Sequence, residues 1–257
     1  DIVITSSTVA LQVFSKANQS GRKPHVFGAV TDPYGTGVGI TGPEPDQHPP
    51  WLTGIGTFQP VQKAFILARE MNPELKRVGV VWNPGEQCSE DCLSEARIIC
   101  QELGIELLEA IATNTSEVAE AVRSLLGKNI GAIWIGGDTV AASSASMIIS
   151  LAAQAGVPVF TNDHLDPAIG ALFGLGANYF TVGEYTADIA IRILQGEPPA
   201  SFRIENLIPE KFRLNHQVLA TLNGSWRISP AIQSLLDGDD KQLTRIAMIN
   251  LVENVLL

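Results

Sequence analysis

Short apolar runs rich in Val and Ile alternate along the chain with stretches of helical period. DIVIT leads into STVALQVFSKANQ, and HVFGAV follows SGRKP. RVGVVW leads to SEDCLSEARIICQELG, ELLEAIA to TSEVAEAVRSLLGKN, and GAIWI to TVAASSASMIISLAAQAG. VPVF comes next, with a loop to ALFGLG, and QPVQKAFILAREM is again helical in period. Continuous rather than alternating apolar strands suit sheets covered on both faces, so the pattern predicts parallel sheets in an α/β fold. The helix boundaries carry signals of their own. Thr115 or Ser116 reads as an N-cap before VAEAV, and Gly104, Gly127 and Gly156 each stand where a left-handed C-cap is expected.

The longest stretch without either period runs from Thr31 to Thr57 and holds Pro33, Pro43, Pro45, Pro49 and Pro50. It predicts a functional or mobile loop with no element of ordinary length inside it. Its GTGVG is a weak echo of a dinucleotide-binding turn. That fingerprint needs a strand before it and a helix directly after it, and Pro and Gly come next here instead.

A chain of 257 residues, 45% hydrophobic and 17% charged, can bury one large core or two smaller ones. A net charge of -10 with scattered basic residues argues against nucleic acid, whose phosphates need clustered Lys and Arg. No apolar run reaches the roughly 18 residues of a membrane span. The chain opens directly on a strand with no visible signal segment, which leaves open that something upstream was removed. Cys88, Cys92 and Cys100 are too few and odd in number for a disulfide framework. The C-x3-C spacing of Cys88 and Cys92 leaves open a bond between them or a metal site, but with no His nearby in sequence and no second pair, inert thiols are the expectation. No metal or cofactor is expected.

Each apolar strand gives way to polar residues. After DIVI come Thr5, Ser6, Ser7 and Thr8; after HVFGAV, Thr31 and Asp32; after RVGVVW, Asn83. After GAIWI come Asp138 and Thr139, and after VPVF come Thr161, Asn162 and Asp163. In parallel sheets these carboxyl ends share one edge, where ligands bind. Hydroxyls at a helix start can cradle an anion with the help of the helix dipole, and Asp suits an ammonium group. The same residue types are also ordinary helix caps, so one instance is more often a cap than a ligand, and five together favour a site. His25, His48, His164 and His216 lie far apart, with no H-E-x-x-H and no G-x-S-x-G, so the pattern is one of holding rather than transforming.

VFGAVTDPYGTG, LTGIG, PELKRVGVVWNPGE, LGIELLEAIATNTSEV, PVFTNDHLDPAIGALFGLGANY and GEYTADIAIRILQGEPPA, in that order over about Asp1 to Ile228, resemble the substrate-binding proteins of ABC transporters. The likeness is greatest to the group whose better-known members bind tryptophan or related aromatic amino acids. The resemblance implies a type I periplasmic binding-protein fold, with two doubly wound parallel-sheet α/β lobes that close on a ligand. It implies a first lobe of residues 1–76 plus 177–197, a second of 77–176 plus 198–229, and a C-terminal helical tail of 230–257. The family's ligand-facing loops fall on Ser6, Ser7, Thr8, Thr31, Asp32, Gly56 and Thr57 in the first lobe. In the second they fall on Asn83, Gln87, Asp138, Thr139, Asn162 and Asp163. For an amino-acid ligand, the Ser/Thr loop takes the carboxylate, and Asp163 with Asp138 takes the ammonium by charge-assisted hydrogen bonds. The same resemblance implies a membrane permease as partner and a periplasmic or extracellular location, with lipid anchoring as a further option.

The chain also departs from that family. Gly137-Asp138-Thr139-Val140 stands where Thr-Asp-Asn-Thr is usual, GEQCS replaces GEANS, TGIGT replaces TGVSD, and GPEPDQHPP is inserted before it. Family members carry further β-α units ahead of the strand matching DIVIT, so the first lobe is expected to lack its early β-α units and to leave an open sheet edge that partner chains, a swapped element or the C-terminal helices cover. That edge, or the amphipathic AIQSLLDGDDKQLTRIAMINLVENVLL tail, is an expected homodimer contact. Against the transport reading stand a sensory ectodomain built on the same lobes and an enzyme on a doubly wound fold, the latter disfavoured by the missing catalytic set. A repressor of the lac type is disfavoured by the charge and the absence of a helix-turn-helix segment.

Overall fold

In the computed structural model, which describes residues 1–162, 169–208, 210–222 and 224–237, strands and helices alternate as the periodicity predicts. The strands collect into two separate sheets. The chain divides into one unit of Asp1–Phe58 with Ala177–Pro209 and a second of Gln59–Gly176 with Glu210–Leu257, so it passes between units three times.

In the first unit, β1 (Val3–Ser6), β2 (His25–Val30), β3 (Leu52–Gly56) and β9 (Glu205–Asn206) lie in that order, all parallel. Neighbouring residues of a strand face opposite ways, so Val26 and Phe27 of β2 feed two cores. Phe27 joins Leu11 of α1 (Thr8–Ala17) and Leu52 on one face. Val26 joins Ile55 and Val182 of α7 (Tyr179–Leu194) on the other.

Strand β3 overturns the expectation of a structureless Thr31–Thr57. LTGIG is a fully buried central strand whose two glycines hide its strand character. Glycine is needed at Gly54 because a Cβ there would collide with the Phe27 carbonyl oxygen and ring. The remaining loop is pinned at several points. His48 Nε2–H donates to the Phe202 carbonyl at 2.9 Å, and the Ile204 N–H donates to the Pro43 carbonyl at 2.9 Å.

The second unit has the order β10-β8-β7-β6-β4-β5. Here β4 (Arg77–Trp82), β5 (Glu106–Ile111), β6 (Ala132–Ile135), β7 (Val159–Thr161) and β8 (Phe173–Ala177) run parallel. β10 (Glu210–Leu214) runs antiparallel to β8, since the N–H of Asn215, just past its end, donates to the carbonyl of Leu172, just before β8 begins. α4 (Val118–Leu126) and α6 (Ala145–Gln154) cover one face. On the other, Phe65 of α2 (Val61–Met71) packs edge-on against Trp134 and Phe160, with α3 (Gln87–Glu102) beside α2. Each unit is therefore a sheet wrapped on both faces, parallel throughout in the first and parallel except for β10 in the second, and the fold is α/β with two doubly wound lobes, as expected.

The boundaries differ from 1–76 plus 177–197 and 77–176 plus 198–229. α2 sits with the second unit because its apolar face is spent on Trp134 and Phe160, and residues 198–209 sit with the first because β9 pairs β3. The tail expected from residue 230 begins as α9 (Pro230–Asp237), whose Ile232 and Leu235 are buried in the second unit. Residues 238–257 lie outside the described residues. Smaller corrections concern helix ends. α4 starts after Glu117, whose carboxylate accepts from Thr113 and Asn114, rather than at a Thr115 or Ser116 cap. Gly104 and Gly156 are left-handed as expected, but Gly127 is right-handed and Asn129 takes the positive φ. The run after GAIWI breaks at Ser144 into α5 (Thr139–Ser143) and α6.

Candidate functional site

Pairing register sets the site's frame in each sheet. In the first, Ser6 lies opposite Gly28 and Val30 opposite Gly56, so Ser6–Thr8, Thr31–Asp32 and Gly56–Thr57 all leave from one carboxyl edge. That edge carries backbone irregularity. Ser7 has φ 94, and β2 bulges between Phe27 and Val30, with Ala29 at φ 53. Positive φ at residues with a Cβ costs energy, and such strain concentrates where side chains must be aimed. Ser7 caps α1 loosely, its hydroxyl accepting the Ala10 N–H at 3.4 Å, and α1 has no acid in its first turn. The N-terminal dipole of this ten-residue helix is thus uncompensated from within. Ser6 and Ser7 are exposed and Thr8 is half-buried.

The other first-unit candidates divide. Asp32 accepts the N–H groups of Tyr34 at 2.9 Å and Gly35 at 3.1 Å, so its carboxylate builds the turn after β2. Thr31 is half-buried beside it. Thr57 donates its N–H to Val30 at 2.6 Å, and its buried hydroxyl has no hydrogen-bond partner among the described residues. A buried, unmatched hydroxyl at a strand's carboxyl end is a feature an ordinary turn does not need. Asn206, which the sequence pattern did not flag, pairs opposite Gly56 and accepts the Phe58 N–H at 2.7 Å.

In the second sheet, β4, β6 and β7 deliver Asn83, Asp138–Thr139 and Asn162 to one carboxyl edge. Asp138 is almost fully buried. One carboxylate oxygen accepts the Asn83 N–H at 2.7 Å and the Ser89 hydroxyl at 2.6 Å, and the other accepts the Ala141 N–H at 2.7 Å. Glu86, missed in the sequence, braces the same loops: it accepts the Asn83 amide at 3.0 Å and the Thr139 N–H at 2.9 Å. Two carboxylates therefore tie the loop after β4 to the loop after β6.

Asn162 bolts the second unit together from within. It is wholly buried, accepts the Trp134 indole N–H at 2.7 Å, and donates to the carbonyls of Pro60 at 2.9 Å and Leu175 at 3.1 Å. Thr139 is exposed, and Gln87 is exposed with its amide on Asp91 at 2.8 Å. Asp163 lies outside the described residues.

All three cysteines are free thiols. Burial, then the charges of Glu86 and Asp138, push Cys88 up to about 11, and burial pushes Cys100 up to about 12, which suppresses thiolate chemistry. Among the described residues, no group of three or more His, Cys, Asp or Glu could hold a metal ion, and no helix is long and apolar enough to cross a membrane. Each edge offers hydroxyls, backbone donors and fixed carboxylates, a set suited to holding a small polar molecule.

A family model described as ABC transporter substrate binding protein matches residues 1–224. A tyrosine-binding protein of Clostridioides difficile strain R20291 is 24% identical over 223 residues, covering 87% of this chain and 63% of that protein. The chain thus spans less than two thirds of that relative's length. Among solved structures, a conserved domain protein from Vibrio cholerae O1 biovar El Tor shares 29% identity with a TM-score of 0.81, covering 91% of this chain and 76% of the other. An ABC domain in complex with L-Trp from Streptococcus pneumoniae shares 21% identity with a TM-score of 0.80, covering 91% and 78%, and bears on the fold alone.

Proposed function

The chain belongs to the ABC transporter substrate binding protein family, and on that premise we propose that it captures an amino acid or a closely related small molecule for an ABC importer. The family match over residues 1–224 carries this reading. The polar carboxyl edges of both sheets support it, as does the tyrosine named for the relative from Clostridioides difficile.

The ligand carboxylate goes to Ser6, Ser7 and Thr8, where the start of α1 offers hydroxyls and a dipole free of any acid in its own first turn. The unmatched Thr57 hydroxyl serves as a further donor. Asp163 takes the ammonium, because Asp138 and Asn162 are already committed within the second unit. The chain binds without turnover, delivers to a membrane permease, and works on the periplasmic or extracellular side.

Native mass spectrometry of protein purified without denaturation tests the reading, together with calorimetric titration with tyrosine, tryptophan and the remaining amino acids. A retained amino acid, or saturable heat with one of them, is expected. No retained ligand and no heat with any amino acid would overturn it.

A further inference from the structure

Within the second unit, at the opposite edge of the sheet from Asn83, Asp138 and Asn162, lies a cavity of about 420 Å³. It opens where β7 begins, beside Pro158 and Val159, so it belongs to the amino-terminal edge of the strands and not to the ligand edge described above. Its volume falls within the range of small-molecule sites. Ile149 of α6, Val159, Val218 of the short helix α8 (His216–Thr221) and Leu222 just after it are among its apolar lining. α6 ends at the lip, where Gly156 turns left-handed at φ +69 and a side chain there would meet nothing.

We infer that this cavity is a second binding site, for an uncharged, ring-sized apolar molecule bearing one hydrogen-bond donor. Among the described residues, no charged side chain lines it, so a zwitterionic amino acid or a carboxylate would lose its hydration there without a partner. Its polar side chains are Gln217 and Thr221. The Thr221 hydroxyl already donates to the Val218 carbonyl at 2.7 Å, which leaves its oxygen as an acceptor. A single N–H or O–H on the ligand can meet that oxygen or the Gln217 amide oxygen while its ring covers Ile149, Val159 and Val218. This site is independent of the proposed amino-acid site, in chemistry and in position on the sheet.

Indole, with one N–H and no charge, is the probe, and benzyl alcohol against benzoate tests the charge rule. Calorimetric or ligand-observed NMR titration of the full chain is expected to give an indole Kd on the order of 0.1–1 mM, as befits so small a ligand. Benzoate is expected to bind at least tenfold more weakly than benzyl alcohol. Ala153→Phe places a ring in the cavity from the exposed side of α6 and is expected to weaken indole at least tenfold with an unchanged melting midpoint. Val218→Asp adds a charge to the wall and provides the second variant, with the same expected loss. Saturating tyrosine or tryptophan is expected to leave the indole Kd unchanged, so failure of the amino-acid reading would leave this site standing. No indole binding to the unaltered protein would overturn the inference, as would indole binding to both variants as tightly as to the unaltered protein, or benzoate binding as tightly as benzyl alcohol.

Discussion

Asp138 and Asn162 were legible in the sequence as polar residues at strand ends, but their duties were not. A cap, a ligand contact and an internal bolt all require a short polar side chain at that position, and only three-dimensional partners separate them. Three donors converge on Asp138, so Asp138→Ala leaves the Asn83 N–H, the Ser89 hydroxyl and the Ala141 N–H without their acceptor. Each orphaned buried donor costs about 1–3 kcal/mol, and a loss of at least about 3 kcal/mol is expected in urea denaturation. Asp163→Asn is expected to behave in the opposite way, with stability nearly unchanged and affinity for the captured amino acid lowered by roughly two to three and a half decades, as when one partner of a buried charge pair is removed. Calorimetric titration of the variant decides; an unchanged Kd would remove Asp163 from the site.

His25 is a residue whose role the sequence did not show at all. It is fully buried in the first unit, its Nε2 is 2.8 Å from the Thr5 hydroxyl, and Phe14 meets it edge-on. Burial lowers its pKa from the usual 6.5 to about 4. Between those values the unfolded chain binds the proton and the folded chain does not, so stability rises with pH across that window. The contribution is intact above pH 6.5 and is lost progressively as pH falls towards 4. Thermal midpoints are therefore expected to drop already between pH 6.5 and 5, above the ordinary carboxylate range, and His25→Gln is expected to flatten that slope. An equal slope in the variant would assign the drop to other groups.

At the scale of elements, strands β1, β2, β4, β6 and β7 were readable because Val- and Ile-rich runs bounded by polar residues admit few other readings. β3 was not, because a central strand that must let Phe27 approach its backbone needs glycine, and glycine reads as loop. The break between α5 and α6 was hidden for another reason: the Ala/Ser run around Ser144 has no proline or glycine to mark it. The junction of β1 with α1 shows how an element's end serves two purposes. Ser7→Gly removes a loose cap, worth a few tenths of a kcal/mol, and relieves a positive φ, worth up to about 1 kcal/mol. Stability is expected to hold or rise slightly in thermal denaturation while affinity for an amino acid falls, because the hydroxyl is lost. Unchanged affinity would return Ser7 to a purely structural role.

For the whole molecule, the sequence reading sets crossings near Arg77 and near Gly176, whereas the chain divides at Phe58–Gln59 and at Gly176–Ala177. The helix QPVQKAFILAREM has one apolar face, and nothing in its period says which sheet that face serves; Trp134 and Phe160 decide it. The third crossing, at Pro209–Glu210, returns the chain to the second unit as β10, antiparallel to β8. That geometry sets Ala177 at the end of β8 beside Glu210 at the start of β10, and Glu210 is held by Lys63 of α2 at 2.5 Å. Two antiparallel strands so placed can be joined by a two-residue Asn-Gly turn. A chain from Gln59 onward in which that turn replaces residues 178–209 is therefore expected to fold as the second unit alone, because both segments of that unit and their pairing are retained. It should unfold in one cooperative transition in urea and retain indole binding, yet show no affinity for the amino acid that the full chain captures, since the edge bearing Ser6, Ser7 and Thr8 is gone. A non-cooperative melt would show that the second unit depends on the first for its fold, and retained amino-acid affinity would place the whole ligand shell in the second unit.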